Sequence, residues 1–229
     1  MLDLTPQLLY ALVACGVMLL VGFPVHEWSH AFAAWRLGDA TARWQGRLSL
    51  DPRVHLDRAG AFLLVITTLL SGGTATFGYA RPTPVNPANL RRARHGEALV
   101  ALAGPAANLV MAAVVALPLR FLMGADTLYP APVAIALNVA LFFVIVNCTL
   151  AVFNLLPIPP LDGWKVLGGL VPPRTAWQLR ELEARYANVL PFAFLIAIIL
   201  LGPPLIAPIV GRLLDLLLGG PAYLVPVVA

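Results

Sequence analysis

Five stretches of this chain run for at least 18 residues without Asp, Glu, Lys or Arg: 8–25, 59–80, 98–119, 131–161 and 186–211. A helix needs about 18–20 apolar residues to cross a bilayer core of about 30 Å. The composition agrees: 60% of the residues are hydrophobic and 11% charged, about half the charge a soluble domain uses. These runs predict an all-α polytopic membrane protein, a bundle of about 4–6 transmembrane or re-entrant helices. A β-barrel would instead alternate apolar and polar residues over short strands, and no such pattern is visible.

The net charge of +4 has an address. Arg36, Arg43, Arg47, Arg53 and Arg58 follow the first run, Arg91, Arg92 and Arg94 precede the third, and Lys165, Arg174, Arg180 and Arg185 follow the fourth. By the positive-inside tendency these stretches face the cytoplasm and the N-terminus lies outside, with Arg120 the exception. Arginines gathered at span ends argue against nucleic-acid binding. Residues 1–25 lack the basic start and small-residue cleavage site of a signal peptide and read as a retained span. Cys15 and Cys148 both fall in apolar runs and read as packed thiols.

The whole chain, 1–229, reads as one membrane domain with a core over 6–171 and C-terminal helices over 173–218. The first helix is expected from about Pro6 to Arg36. "GDATARWQGRLSLDP" then alternates briefly around a glycine, which predicts a small membrane-associated β-hairpin. Residues 59–80 either span or re-enter, because Gly72 and Gly73 leave only about a dozen helical residues before them. Helices follow over about 89–123 and 131–156, then an amphipathic helix in "PPRTAWQLRELEARY". "GPP" at 202–204 is expected to break the last run, and whether the final segment returns across the membrane is open.

The chemistry enters at "VGFPVHEWSHAFAAW". His26 and His30 are four apart, so a helix places both imidazoles on one face, where they can reach one Zn²⁺ ion. Glu27, one step round, can reach a water on that ion as general base. The competing reading is chance decoration of a helix surface. Membrane depth weighs against it, since an ionisable group there costs about 3 kcal/mol or more. A catalytic zinc site needs a third ligand. Asp162 stands at the end of the fourth run, which travels toward the end of the bundle where the first helix also ends. Its alternative role is to cap the next helical turn. Asp126 falls on the opposite side, Asp39, Asp51 and Asp57 in a polar loop, and His55 and His95 in surface-like surroundings.

"HEWSH", "AGPAAN" and "NLLPIPPLDG", in that order, resemble the motifs of the site-2 protease family of intramembrane zinc metalloproteases. "FGYARPTPVNP" is similar to a segment of its compact bacterial members. The resemblance covers most of residues 20–170. It implies hydrolysis of peptide bonds within a transmembrane-helix substrate (regulated intramembrane proteolysis), with one Zn²⁺ per chain held by His26, His30 and Asp162 and Glu27 as base. It implies a multi-pass protein of the bacterial plasma membrane with its active site near the cytoplasmic side. The substrate is expected to be trimmed beforehand by another protease. Pro157 and Pro159 interrupt helical hydrogen bonding and leave an irregular stretch able to pair with an extended substrate. Asn154 either stabilises developing oxyanion charge or makes a polar contact between helices. Asn108 either contacts substrate or bridges helices that Gly104 and Ala107 bring close. No PDZ-like insertion, nucleotide-sensing domain or preceding helix is expected.

A divalent-metal transporter using the same ligands is the alternative function. It requires further polar residues along the spans, and Asn138, Asn147 and Thr149 make no obvious ladder. An inactive scaffold is the third class, opposed by the glutamate retained between the histidines.

Overall fold

The computed structural model describes residues 5–73, 76–122 and 129–220, with side chains left aside over 190–203. Asp126 therefore lies outside the described residues. Helix α1 is Pro6–Arg36. Thr5 caps it by accepting from the Leu8 N–H, and Pro6 occupies the first turn, where a missing N–H is harmless. Midway, Met18–Gly22 widens into a π turn, with the Phe23 N–H reaching back to the Met18 carbonyl. The cause is close by: Pro24 has no N–H and its ring crowds the carbonyl four residues earlier. The α-helix resumes over Phe23–Arg36, so the π turn sets the rotation of the segment that carries His26, Glu27 and His30.

The expected hairpin is not formed. No strand occurs there among the described residues; Thr41–Trp44 is one helical turn and Pro52–His55 another. The short alternation is overridden by two polar side chains that turn inward. Asp39 accepts from the Thr41 N–H and hydroxyl, which bends the chain into a helical turn. Arg47 is buried and donates to the carbonyls of Val54, Arg81 and Pro82. Backbone groups satisfied by side chains have no need of a ladder.

Helix α2 (Arg58–Leu70), capped by Asp57, has 13 residues, about 20 Å, too short to cross. The chain then runs back extended beside it: the Thr67 hydroxyl bonds both the N–H and the carbonyl of Phe77, and the Arg81 N–H donates to the His55 carbonyl.

Helix α3 (Ala93–Leu122) is central, packing against α1, α4 (Ala131–Asn154) and α5 (Asp162–Leu170). Helix α6 (Pro173–Arg185) is the amphipathic element. Glu97 of α3 pairs with its Arg180, and Glu183 accepts from Trp164 of α5, tying the three together. Helix α7 (Leu190–Leu218) runs unbroken through Gly202, Pro203 and Pro204, contrary to the expected break. In apolar surroundings, ending the helix there would strand more backbone groups than the prolines remove.

Among the described residues, three helices, Pro6–Arg36, Ala93–Leu122 and Ala131–Asn154, are long and apolar enough to cross a membrane. Their outward faces carry large exposed apolar side chains, including Leu20, Val110, Val114 and Phe121, which water would penalise and lipid would not. Cys15 and Cys148 are free and buried.

Candidate metal centre

The Nε2 atoms of His26 and His30 and a carboxylate oxygen of Asp162 lie within 4.8 Å of one another. The two Nε2 atoms are 3.1 Å apart, and Asp162 Oδ2 stands 3.5 Å from His26 and 3.3 Å from His30. A tetrahedral ion with bonds of about 2.0–2.1 Å sets its donors about 3.3 Å apart. The spacing of the three atoms is that of one face of such a tetrahedron.

Proton placement sharpens the point. His30 Nδ1 is 2.7 Å from the Val100 carbonyl oxygen, which can only accept, so this nitrogen carries the proton. His26 Nδ1 is 3.3 Å from Asn108 Oδ1 and donates to it in the same way. In the neutral imidazoles both Nε2 atoms then present lone pairs toward each other and toward a carboxylate oxygen. Three converging acceptors repel unless a cation lies among them, and two imidazoles with a carboxylate form a donor set suited to Zn²⁺.

Each ligand-bearing element is placed by local sequence. Gly104 of α3 faces the two imidazoles: a Cβ there would stand 2.3 Å from His30 Nε2 and 2.6 Å from His26 Cε1. The glycine of "AGPAAN" is thus the space the histidines occupy, and the asparagine orients one of them. Asn108 is fully buried, and its bond to His26 is a contact between helices.

At the other wall, α4 ends at Asn154 and the prolines of "LPIPPL" prevent its continuation, giving a run of tight turns to Leu161. Asp162 opens α5, but Leu161 is its N-cap and no side-chain cap bond is made, so the carboxylate is free of the capping role considered above. Gly163 permits this: a Cβ there would meet the Leu155 and Leu156 carbonyl oxygens at 2.2 and 2.4 Å. Among the described hydrogen bonds none involves the Asn154 side chain, and Pro157 is exposed while Pro159 is buried.

Glu27 is buried beside the cluster. Its Oε2 accepts from the Thr83 N–H at 2.8 Å and the Thr83 hydroxyl at 2.7 Å. Thr83 lies in "RPTPVNP", a motif the sequence singled out without marking this residue; a lone Thr between prolines was the available signal. Asp39 was equally missed. It is fully buried and also holds the Asn86 N–H and Asn89 amide. His55 is buried with Nε2 on the Ser49 carbonyl, His95 is exposed, and Asp51 and Asp57 cap short helices, so none joins the cluster.

Residues 14–200 match peptidase family M50. A Bacillus subtilis relative named as a zinc metalloprotease, YwhC, is 36% identical over 194 residues, covering 82% of this chain and 80% of its own. Rip2 of Mycobacterium tuberculosis, also named as a zinc metalloprotease, is 35% identical over 68% of this chain and 56% of its own length. Its counterpart in Mycolicibacterium smegmatis is 31% identical over 81% of this chain and 65% of its own. No solved structure matches the chain significantly.

Proposed function

This chain belongs to peptidase family M50, the site-2 type of zinc metalloendopeptidase, and from that premise we propose that it cuts transmembrane-helix substrates with Glu27 as general base. His26, His30 and Asp162 would hold the Zn²⁺ ion. When bound, the ion supplies a Lewis acid for the scissile carbonyl and an acidified water. The protein supplies the rest. Glu27 takes the proton of the attacking water and returns it to the leaving amine, so one carboxylate serves both halves of the reaction. The Val100 carbonyl and Asn108 keep both imidazoles in the tautomer that presents Nε2.

The convergence of two imidazoles and a carboxylate beside a buried glutamate, at the end of an apolar helix, carries this reading. A helical peptide bond is shielded by its own hydrogen bonds and side chains, so the substrate must open locally before attack. The irregular stretch containing Pro157 and Pro159 offers a non-helical surface on which an opened segment can lie. Asn154 at its start is the candidate for contact with that segment. Clustered arginines at the same ends of the helices support a site near the cytoplasmic face, and the bacterial relatives support a bacterial plasma membrane. Substrates trimmed beforehand by another protease fit a buried site that bulky extramembrane domains would not approach.

The transport alternative finds no support along the spans: Asn147 and Thr149 turn their donors back to the carbonyls of Phe143 and Ile145. The test compares purified wild type with Glu27→Gln on a single-span helical substrate. Zinc retained with cleavage lost supports the assignment; cleavage persisting in the variant refutes it.

A further inference from the structure

Residues 76–89 form a strap across the Glu27 side of the site; besides the backbone bond from Arg81 to His55, side chains attach it. Thr67 holds Phe77, Arg47 holds the carbonyls of Arg81 and Pro82, and Asp39 holds Asn86 and Asn89. Between these anchors lies Thr83, the residue of the strap that bonds the Glu27 carboxylate. Pro84 confines Thr83 to extended backbone, and Pro82 fixes φ on its other side. The Thr83 N–H and hydroxyl both reach the same oxygen, Oε2, while among the described hydrogen bonds none ends on Oε1. The hydroxyl is also 3.0 Å from the Glu27 main-chain carbonyl, and its single proton lies nearer Oε2, the shorter of the two contacts.

A carboxylate with two equivalent oxygens can rotate and accept a proton on either. Two donors fixed on one oxygen remove that freedom: Oε2 is held, and Oε1 is the oxygen left to work. We propose that Thr83 is a positioning residue for this reaction, clamping Oε2 of Glu27 so that Oε1 alone takes the proton from water and returns it to the leaving amine. Asp39 and Arg47 act at one remove, keeping the strap in the register that brings Thr83 to Glu27. This inference rests on the reading of Glu27 as the base.

The experiment uses the full chain reconstituted in liposomes with a single-span helical substrate, measuring kcat, KM, bound zinc and thermal unfolding. Thr83→Val keeps the shape and the N–H but removes the hydroxyl; Thr83→Ser keeps the hydroxyl. The expected result is a kcat lower by about tenfold in Thr83→Val, with KM changed by less than about twofold and zinc still one per chain. Thr83→Ser restores most of the lost turnover. The proposal is overturned if Thr83→Val turns over at the wild-type rate or faster, if Thr83→Ser is as slow as Thr83→Val, or if kcat falls only in step with zinc or stability. Glu27→Gln run alongside separates the two readings. Cleavage surviving in that variant removes both, whereas an inactive Glu27→Gln beside a fully active Thr83→Val removes only the role of Thr83.

Discussion

Gly104 stands against His30 so closely that a single added methyl would lie 2.3 Å from the imidazole Nε2. The contact joins the central helix to the first at the level of the metal centre, and it makes a glycine inside a helix part of the site.

Gly104→Ala therefore separates helix stability from site geometry. Alanine favours an α-helix over glycine by about 1 kcal/mol, so the helix itself should not suffer. The methyl must nevertheless displace both imidazoles. We expect bound zinc to fall well below one per chain and peptidase activity to be lost, read by metal analysis and cleavage of a helical substrate. Gly168→Ala, where a methyl meets nothing within 4 Å, is the control and should leave zinc content and cleavage intact.

Asn108→Ala removes the acceptor that holds the His26 Nδ1 proton. Loss of such an orienting partner weakens metal binding by about 10–100-fold. Competition against a chelator of known affinity should show that drop while helical circular dichroism is unchanged. An unaltered zinc affinity would mean that His26 is oriented by packing alone.

Asp39 is a buried carboxylate that accepts from Thr41, Asn86 and Asn89. Burial opposes its charge, but these hydrogen bonds outweigh burial and hold the group below the usual carboxylate range. A lowered folded value contributes stability that is complete above the unfolded value of about 3.9 and is lost as pH falls through the folded one. Thermal stability should accordingly decline in acid for the wild type and less steeply for Asp39→Asn. At neutral pH the variant should be less stable by about 2 kcal/mol.

Arg47 binds three carbonyls on two segments, a task for a planar fork of donors that an ammonium cannot reproduce. Arg47→Lys should loosen the strap over 76–89. Limited proteolysis would detect it as faster cleavage within that segment, with the rest of the chain resistant. Equal cleavage in both proteins would show that Asp39 and Thr67 suffice to hold it.

Much of this molecule was legible without coordinates. Uncharged runs of 18 residues or more are stabilised in apolar surroundings chiefly as helices, so the long helices and their approximate limits follow from hydropathy, although the run 59–80 is helical only to Leu70. The i, i+4 spacing of His26 and His30 is a local property of a helix, and three prolines within four residues, 157, 159 and 160, favour the end of the helix before Asp162. What remained hidden involves partners distant along the chain. Asp39 and Arg47 read as ordinary loop charges, because burial of an ionic group is favourable only once matching donors and carbonyls, 47 residues away for Asn86 and 34 for Arg81, have been folded against it. The expected hairpin failed for the same reason: a brief alternation in polarity is a weak preference, and side chains that satisfied the backbone outweighed it. Hydropathy and spacing decided which long runs would be helical and that His26 and His30 would share one helix face; only tertiary packing decided that Thr83 meets Glu27, 56 residues away, since no local rule couples positions so far apart.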